Sequence, residues 1–298
     1  MITDAQVEFY RENGFVVVKG VLSEAEVRRL RAVTDEMVEG ARGLTTHNEV
    51  YDLEDTHRPD DPRVRRIKFP DRNHPEYARL VDHPKVVAIL QRLIGESIRF
   101  DVSKLNLKAA GYGASVEWHQ DWAFYPHTND DLCAVGFMMD DCEMINGPLM
   151  VIPGSHKGPI LDHHFGGVFC GAINPDASQM DFGTAVPLTG AAGSITIHHA
   201  RTIHGSAPNK SPKPRRLLLH QYRAADAWPL LGFADGWDKY SSLLITGEPS
   251  VEPRLEKVPV RLPLPPAAHQ GSIYENQKAL GSRYFNEGEA AKAPAEVG

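Results

Sequence analysis

Two histidines and one aspartate carry the strongest chemical signal in this 298-residue chain. His119 and Asp121 stand two residues apart in Trp118-His119-Gln120-Asp121, and His204 follows downstream. The run from Val116 to Trp122 reads as a strand, in which alternate side chains share a face, so His119 and Asp121 are expected to project together. A second strand-like run, Ser194-Ile195-Thr196-Ile197-His198, precedes His204 and can return it beside the first pair. Two imidazoles and one carboxylate on one face of a metal leave other coordination positions open, which suits a non-haem Fe(II) oxygenase. The same ligands can hold Zn(II), whose open position would make water a hydrolytic nucleophile. A third reading is a fold that binds a small ligand without catalysis. With fourteen histidines in the chain, one His-x-Asp decides little by itself.

The elements that must position these residues are legible in outline. Thr3-x-x-Gln6 and Ser23-x-x-Glu26 are capping boxes, and the second opens a helix in which Val27, Leu30, Val33, Met37 and Val38 recur at helical spacing before Gly40. Gly14-Phe15-Val16-Val17-Val18 reads as a short strand. Pro84, the apolar set Val86, Val87, Leu90 and Ile94, and Gly95 mark another helix. From Ile98 the texture becomes β: Ile98 to Ala109, Val116 to Trp122, Leu132 to Met139, Leu149 to Pro153, Ser194 to His198 and Leu217 to Tyr222. The stretch from Gly158 to Leu188 is long, rich in Gly, Asp and His, and is expected to form a lid or binding loop.

Composition narrows the function classes. A formal net charge of -7 argues against nucleic acid as the main partner. Two basic runs, Pro62 to Lys68 and Lys210 to Arg216, read as solvated faces or loops. Three cysteines, Cys133, Cys142 and Cys170, match no zinc or disulfide framework and suit a reducing compartment. No stretch approaches the roughly 18 apolar residues of a membrane span, and the N-terminus lacks a secretory pattern. The expectation is a soluble, cytoplasmic protein with a small-molecule substrate and no nucleic-acid or membrane partner. A homodimer is compatible with the sequence, which has no coiled-coil heptads to settle its oligomeric state.

Four segments in order carry a resemblance: Trp118-His119-Gln120-Asp121; Asn146-Gly147-Pro148 through Pro153-Gly154-Ser155-His156; Gly193-Ser194; and His204-Gly205-Ser206-Ala207-Pro208-Asn209 closing on Arg215. Together they resemble the phytanoyl-CoA dioxygenase family, a branch of the 2-oxoglutarate-dependent oxygenases, over roughly Lys104 to Tyr222. The resemblance implies a mainly β fold with flanking helices around a double-stranded β-helix core of the jelly-roll, cupin-like type. It places one oxygenase domain over residues 1–286: a mostly helical part at 1–97, the core at 98–225 and an extension at 226–286. Residues 287–298 are expected to be a disordered tail.

The resemblance also assigns roles. His119, Asp121 and His204 match the Fe(II) ligands; Arg215 matches the arginine that grips the distal carboxylate of 2-oxoglutarate, and Ser206 the hydroxyl beside it. A guanidinium presents a planar fork that fits a carboxylate bidentately, and Leu217-Leu218-Leu219 would keep water from the pair. Asn106 and Lys108, on the preceding strand, are further candidates for the cosubstrate pocket. Trp122, Phe124, Tyr125 and His127, with Phe165 from the long loop, are candidates for the substrate wall. His198 and His199 are expected to face the core or a loop, and the Gly and Pro motifs to be turns. The implied reaction consumes O2 and 2-oxoglutarate, releases succinate and CO2, and hydroxylates an unactivated carbon of a small metabolite or natural-product intermediate. Asp121 excludes halogenation, since halogenating relatives lack that carboxylate.

Overall fold

The computed structural model describes residues 2–176, 178–233, 235–266 and 272–285; the expected tail at 287–298 lies outside them. In chain order the first part holds α1 (Asp4–Asn13), β1 (Phe15–Val18), α2 (Glu24–Glu39), β2 (Tyr51–Leu53), β3 (Val64–Lys68), α3 (Pro70–Asn73), α4 (Pro75–Ala78) and α5 (Pro84–Ile94). Next come β4 (Ile98–Lys108), β5 (Val116–His119), β6 (Leu132–Met138), β7 (Leu149–Val151), β8 (His164–Phe165), β9 (Val168–Phe169), β10 (Val186–Leu188), β11 (Ile195–His199), β12 (His204–Ser206) and β13 (Arg215–Ala224). The chain continues through α6 (Gly236–Ser242), β14 (Leu244–Thr246) and α7 (Ile273–Gln277).

Both capping boxes form, Thr3 with Gln6 and Ser23 with Glu26, each satisfying amide donors that the first helical turn leaves without partners. Gly14 closes α1 in the left-handed region at φ 80°.

The strands make two main sheets. The large one runs β1-β11-β6-β13-β4-β3-β2, with β14 also paired to β4; the small one runs β10-β7-β12-β5. Strand alternation divides the large sheet into two faces. On β13, Leu218 and Tyr222 join Val135, Phe137, Ile195, Ile197 and Leu105 in a core closed by Leu30 and Val33 of α2 and by Val86, Ile89 and Leu90 of α5. Each such full burial is worth about 1.5–3 kcal/mol. On the opposite face of β13, Arg215, Leu217 and Leu219 turn to a cavity shared with the small sheet. The β4–β13 ladder contains one irregularity: Gln221 pairs with Val102 but Tyr222 with Phe100, leaving Asp101 as an extra residue in β4.

Helices predominate in the segment 1–97; β1, the short strand expected there, forms one edge of the large sheet, and β2 and β3, which the sequence reading missed, form the other. Most of the basic run at Pro62–Lys68, Val64–Lys68, is β3 rather than a solvated loop. Its charges are taken up by Asp52, which lies 2.9 Å from Arg66 Nε and 3.1 Å from Lys68 Nζ, and by Glu275, which pairs with Arg65. The segment 158–188 is likewise fastened: His163 Nε2 accepts from Gln120 N–H at 2.9 Å, and Ile173 N–H donates to Trp118 O at 2.8 Å.

Candidate metal centre and active site

His119 closes β5 and His204 opens β12, and the two are direct cross-strand partners in the small sheet. That pairing brings their rings to 4.0 Å between centroids. Asp121 is not on the strand, as the alternation argument requires; β5 ends at His119, and Asp121 begins a single 3-10 turn over Asp121–Ala123. The turn delivers the carboxylate all the same. Oδ1 of Asp121 lies 3.8 Å from His119 Nε2 and 3.9 Å from His204 Nε2, and one ligand atom from each of the three residues falls within 4.8 Å of the others.

The protonation states suit a metal. Each ring bonds through Nδ1 to the carbonyl two residues before it, His119 to Glu117 at 2.8 Å and His204 to Thr202 at 2.9 Å. With Nδ1–H donating, both rings present an Nε2 lone pair to the shared space. Burial lowers the His119 pKa to about 4 and that of His204 well below its ordinary value, so both imidazoles are neutral at pH 7. Burial alone would raise the Asp121 carboxyl, but Lys104, then His198, His204 and His119 outweigh it and hold the group well below the usual carboxylate range. Two neutral nitrogens and one carboxylate oxygen, all buried, fit the 2-His-1-carboxylate facial triad of Fe(II) oxygenases.

The triad opens on a narrow cavity of about 30 Å³, or about 500 Å³ including its open mouth. Asn106, Ser206 and Arg215 line it; Lys104, His198 and Ile273 line it as well. Arg215 is 3% exposed and donates through Nη2 to Gly147 O at 2.8 Å, while its Nε and Nη1 have no partner among the described residues. A buried guanidinium with two idle donors is costly unless an acceptor reaches it, and a carboxylate is the matching shape. Gly147 sits at φ 72°, where a Cβ would meet Ala207 O at 2.5 Å, so the Asn146-Gly147-Pro148 turn brings a bare carbonyl to the arginine.

The remaining candidates separate. Lys108 is not among the cavity's lining: its ammonium is bonded to Ala114 O at 2.7 Å and Ala207 O at 2.5 Å. Phe124 stands edge-on to His119 at 6.0 Å. Tyr125 accepts from Gln221 Nε2, and Gln221 also reaches Asp121 Oδ2 at 3.3 Å. His127 and Tyr125 line an adjoining cleft of about 770 Å³ including its open mouth. Trp122 is fully buried, donates to Pro259 O at 2.8 Å and packs with Leu132, Ala200, Ala224 and Ala227, so it is core and not substrate wall. Phe165 is 39% exposed on the β8–β9 hairpin beside Gly281, away from the cavity lining.

Three site residues escape the sequence reading. His198 faces the triad and not the core, with Nε2 3.6 Å from Asp121 Oδ2 and its ring 4.4 Å from that of His204; its neighbour His199 turns to Asp130 instead. Lys104 Nζ lies 3.8 Å from Asp121 Oδ1. Gln221 completes the set. All three had a signal: His198 alternates with the apolar Ile195 and Ile197, Lys104 shares strand parity with Asn106, and Gln221 with Arg215.

Comparison with known proteins agrees with this geometry. The model of the phytanoyl-CoA dioxygenase (PhyH) family matches residues 10–217. A Stutzerimonas stutzeri protein named probable alpha-ketoglutarate-dependent hypophosphite dioxygenase is 39% identical over 289 residues, 96% of this chain and 100% of that protein. An L-proline trans-4-hydroxylase of Streptomyces griseoviridis is 29% identical, over 76% of this chain and 88% of its own. Among solved structures, EvdO2 from Micromonospora carbonacea var. aurantiaca, complexed with 2-oxoglutarate, is 27% identical with a TM-score of 0.60, over 80% of this chain and 95% of its own.

Proposed function

The chain belongs to the phytanoyl-CoA dioxygenase family, and from that premise we propose a substrate and a division of labour for its site. The enzyme is an Fe(II)- and 2-oxoglutarate-dependent dioxygenase acting on a small molecule. Our reading is that it hydroxylates an unactivated bond of a compact oxyanion, with hypophosphite the first candidate. The full-length relation to a protein named for hypophosphite oxidation supports this. The balanced reaction would be hypophosphite, 2-oxoglutarate and O2 giving phosphite, succinate and CO2, one oxygen atom entering a P–H bond and the other succinate. A C–H bond of a small carboxylate is the second reading, favoured by the relation to the L-proline trans-4-hydroxylase.

His119, Asp121 and His204 would hold the iron, and iron with 2-oxoglutarate supplies the oxidising power that the side chains lack. Arg215 would take the distal carboxylate of 2-oxoglutarate with its two idle donors, oriented by Gly147 O, with Ser206 and Asn106 lining the same pocket. Leu217, Leu219 and Leu149 exclude water from that ion pair. Gln221 and His198 engage Asp121 Oδ2 and leave Oδ1 toward the imidazoles. We read the two sheets, with the site between them, as the walls of a double-stranded β-helix. Three buried free cysteines support a reducing, cytoplasmic setting.

The observation that carries the reading is a facial triad and a half-satisfied buried guanidinium in one cavity. Anaerobic titration with Fe(II) and then 2-oxoglutarate tests it. The expected result is the weak visible charge-transfer band of a chelated keto acid; tight Zn(II) binding with no such band would move the hydrolytic reading ahead.

A further inference from the structure

The two walls of the cavity order its charges. Along the β4–β13 ladder Arg215 pairs with Lys108, Leu217 with Asn106, Leu219 with Lys104 and Gln221 with Val102. At about 3.3 Å per residue, Lys104 stands roughly 13 Å along the wall from Arg215. There it meets the triad, since its Nζ lies 3.8 Å from Asp121 Oδ1. Gln221 is two residues further and belongs to both spaces: it touches Asp121 on one side and lines the outer cleft on the other.

Lys104 has no role in the division of labour above. The charged side chains lining the inner cavity are Lys104, Arg215 and Asp121. A divalent metal and the dianion 2-oxoglutarate cancel each other, and Arg215 and Asp121 do the same, so the ammonium of Lys104 remains. It also shares Asp121 Oδ1 with the two imidazoles that face the metal position. Asp121 offsets part of the repulsion between this cation and a loaded divalent metal, and a bound anion beside Lys104 would offset the rest. Hydrogen-bonding capacity is available alongside. Gln221 donates to the Tyr125 oxygen, the Tyr125 hydroxyl bonds Asp121, and His198, 1% exposed, keeps Nε2 3.6 Å from Asp121 Oδ2 and has no hydrogen-bond partner at Nδ1 among the described residues. The outer cleft at Tyr125 and Gln221 carries Arg72, Arg223 and Lys239 against Asp101 and Asp235, a balance that favours entry of an anion.

We propose that Lys104 is the receptor for the substrate's negative charge, so that the enzyme selects a compact monoanion entering past Tyr125 and Gln221. This rests on the dioxygenase reading of the same cavity and deepens it. The test uses full-length protein under anaerobic conditions, with the Fe(II)–2-oxoglutarate band as the reporter and hypophosphite as the probe. In the wild type, hypophosphite is expected to perturb the band. In Lys104→Met the 2-oxoglutarate concentration needed to form the band should stay within about twofold, while the hypophosphite concentration needed to perturb it rises about tenfold to a hundredfold, the loss of one charge-assisted bond. Lys104→Arg should recover part of that loss. A shift in the 2-oxoglutarate requirement instead would make Lys104 a cosubstrate group, and unchanged titrations of both would reduce it to an ion pair of Asp121. A band that forms in the wild type but ignores hypophosphite would overturn the anion proposal while leaving the dioxygenase assignment standing.

Discussion

Replacing Arg215 with lysine keeps the positive charge and removes the guanidinium fork, which isolates geometry from electrostatics at the proposed cosubstrate site. In the structure Nη2 is spent on Gly147 O at 2.8 Å, and Nε and Nη1 remain for a carboxylate. A lysine has one nitrogen to serve both, on a chain that does not hold two parallel bonds. The expected loss is one hydrogen bond to a charged group, about 1.5–3 kcal/mol, which is roughly a 10- to 150-fold rise in the 2-oxoglutarate concentration at half-saturation. The assay is the anaerobic absorbance titration of iron-loaded protein, with the thermal midpoint of the variant as a check on folding. Iron affinity should hold, because Arg215 makes no contact with the triad's ligand atoms. A half-saturation within about threefold of wild type, in a folded and iron-loaded variant, would refute the assignment of Arg215 to the cosubstrate.

The other expectations concern the metal and the frame. His119→Ala and Asp121→Ala each remove one of three ligand atoms and should abolish stoichiometric Fe(II) retention on a desalting column; retention by either would dissolve the triad. His220 is fully buried against Phe100 and Phe137, and burial lowers its pKa to about 3. The unfolded chain, with an ordinary value near 6.5, therefore binds the proton first as pH falls, so this stability is present above about pH 6.5 and lost below it. Between pH 7.5 and 5 His220 should account for about 2 kcal/mol of acid destabilisation. His220→Phe should flatten the urea midpoint against pH by that amount; parallel wild-type and variant curves would refute the linkage. Gly14→Ala forces a left-handed residue and places a Cβ 2.5 Å from His156 Nδ1 and 2.6 Å from Thr202 Oγ1. It should cost about 1–3 kcal/mol, measured by denaturant unfolding.

Much of this was legible in the sequence for identifiable reasons. The capping boxes at Thr3 and Ser23 and the Pro84-to-Gly95 helix are local signals, and local signals survive folding. The triad residues were found by type and spacing, though the argument that placed Asp121 on a strand was not the one the backbone uses. Strands β2 and β3 were hidden because the charged residues of β3 read as solvent-facing until Asp52 on the adjacent β2 and Glu275, far away in sequence, are seen to neutralise them. His198 was misplaced because it precedes the ligand position of the family, although its alternation with the core residues Ile195 and Ile197 turns it to the cavity. Lys108 and Lys104 share a face of β4, yet one is held by Ala114 and Ala207 and the other reaches the triad; only the packing around each decides that.

The extra residue in β4, Asp101, separates two stretches of the same wall. On one side of it the ladder carries Arg215 and the other residues proposed to hold the cosubstrate; on the other it carries Arg223, whose Nε pairs with Asp101 at 2.8 Å, and the rim of the outer cleft. A bulge absorbs changes of register locally. Insertions or deletions beyond Gln221 can therefore reshape the entrance without displacing Arg215 by a single rung. In this chain the fold thus joins a fixed power source to an entrance that can change without it.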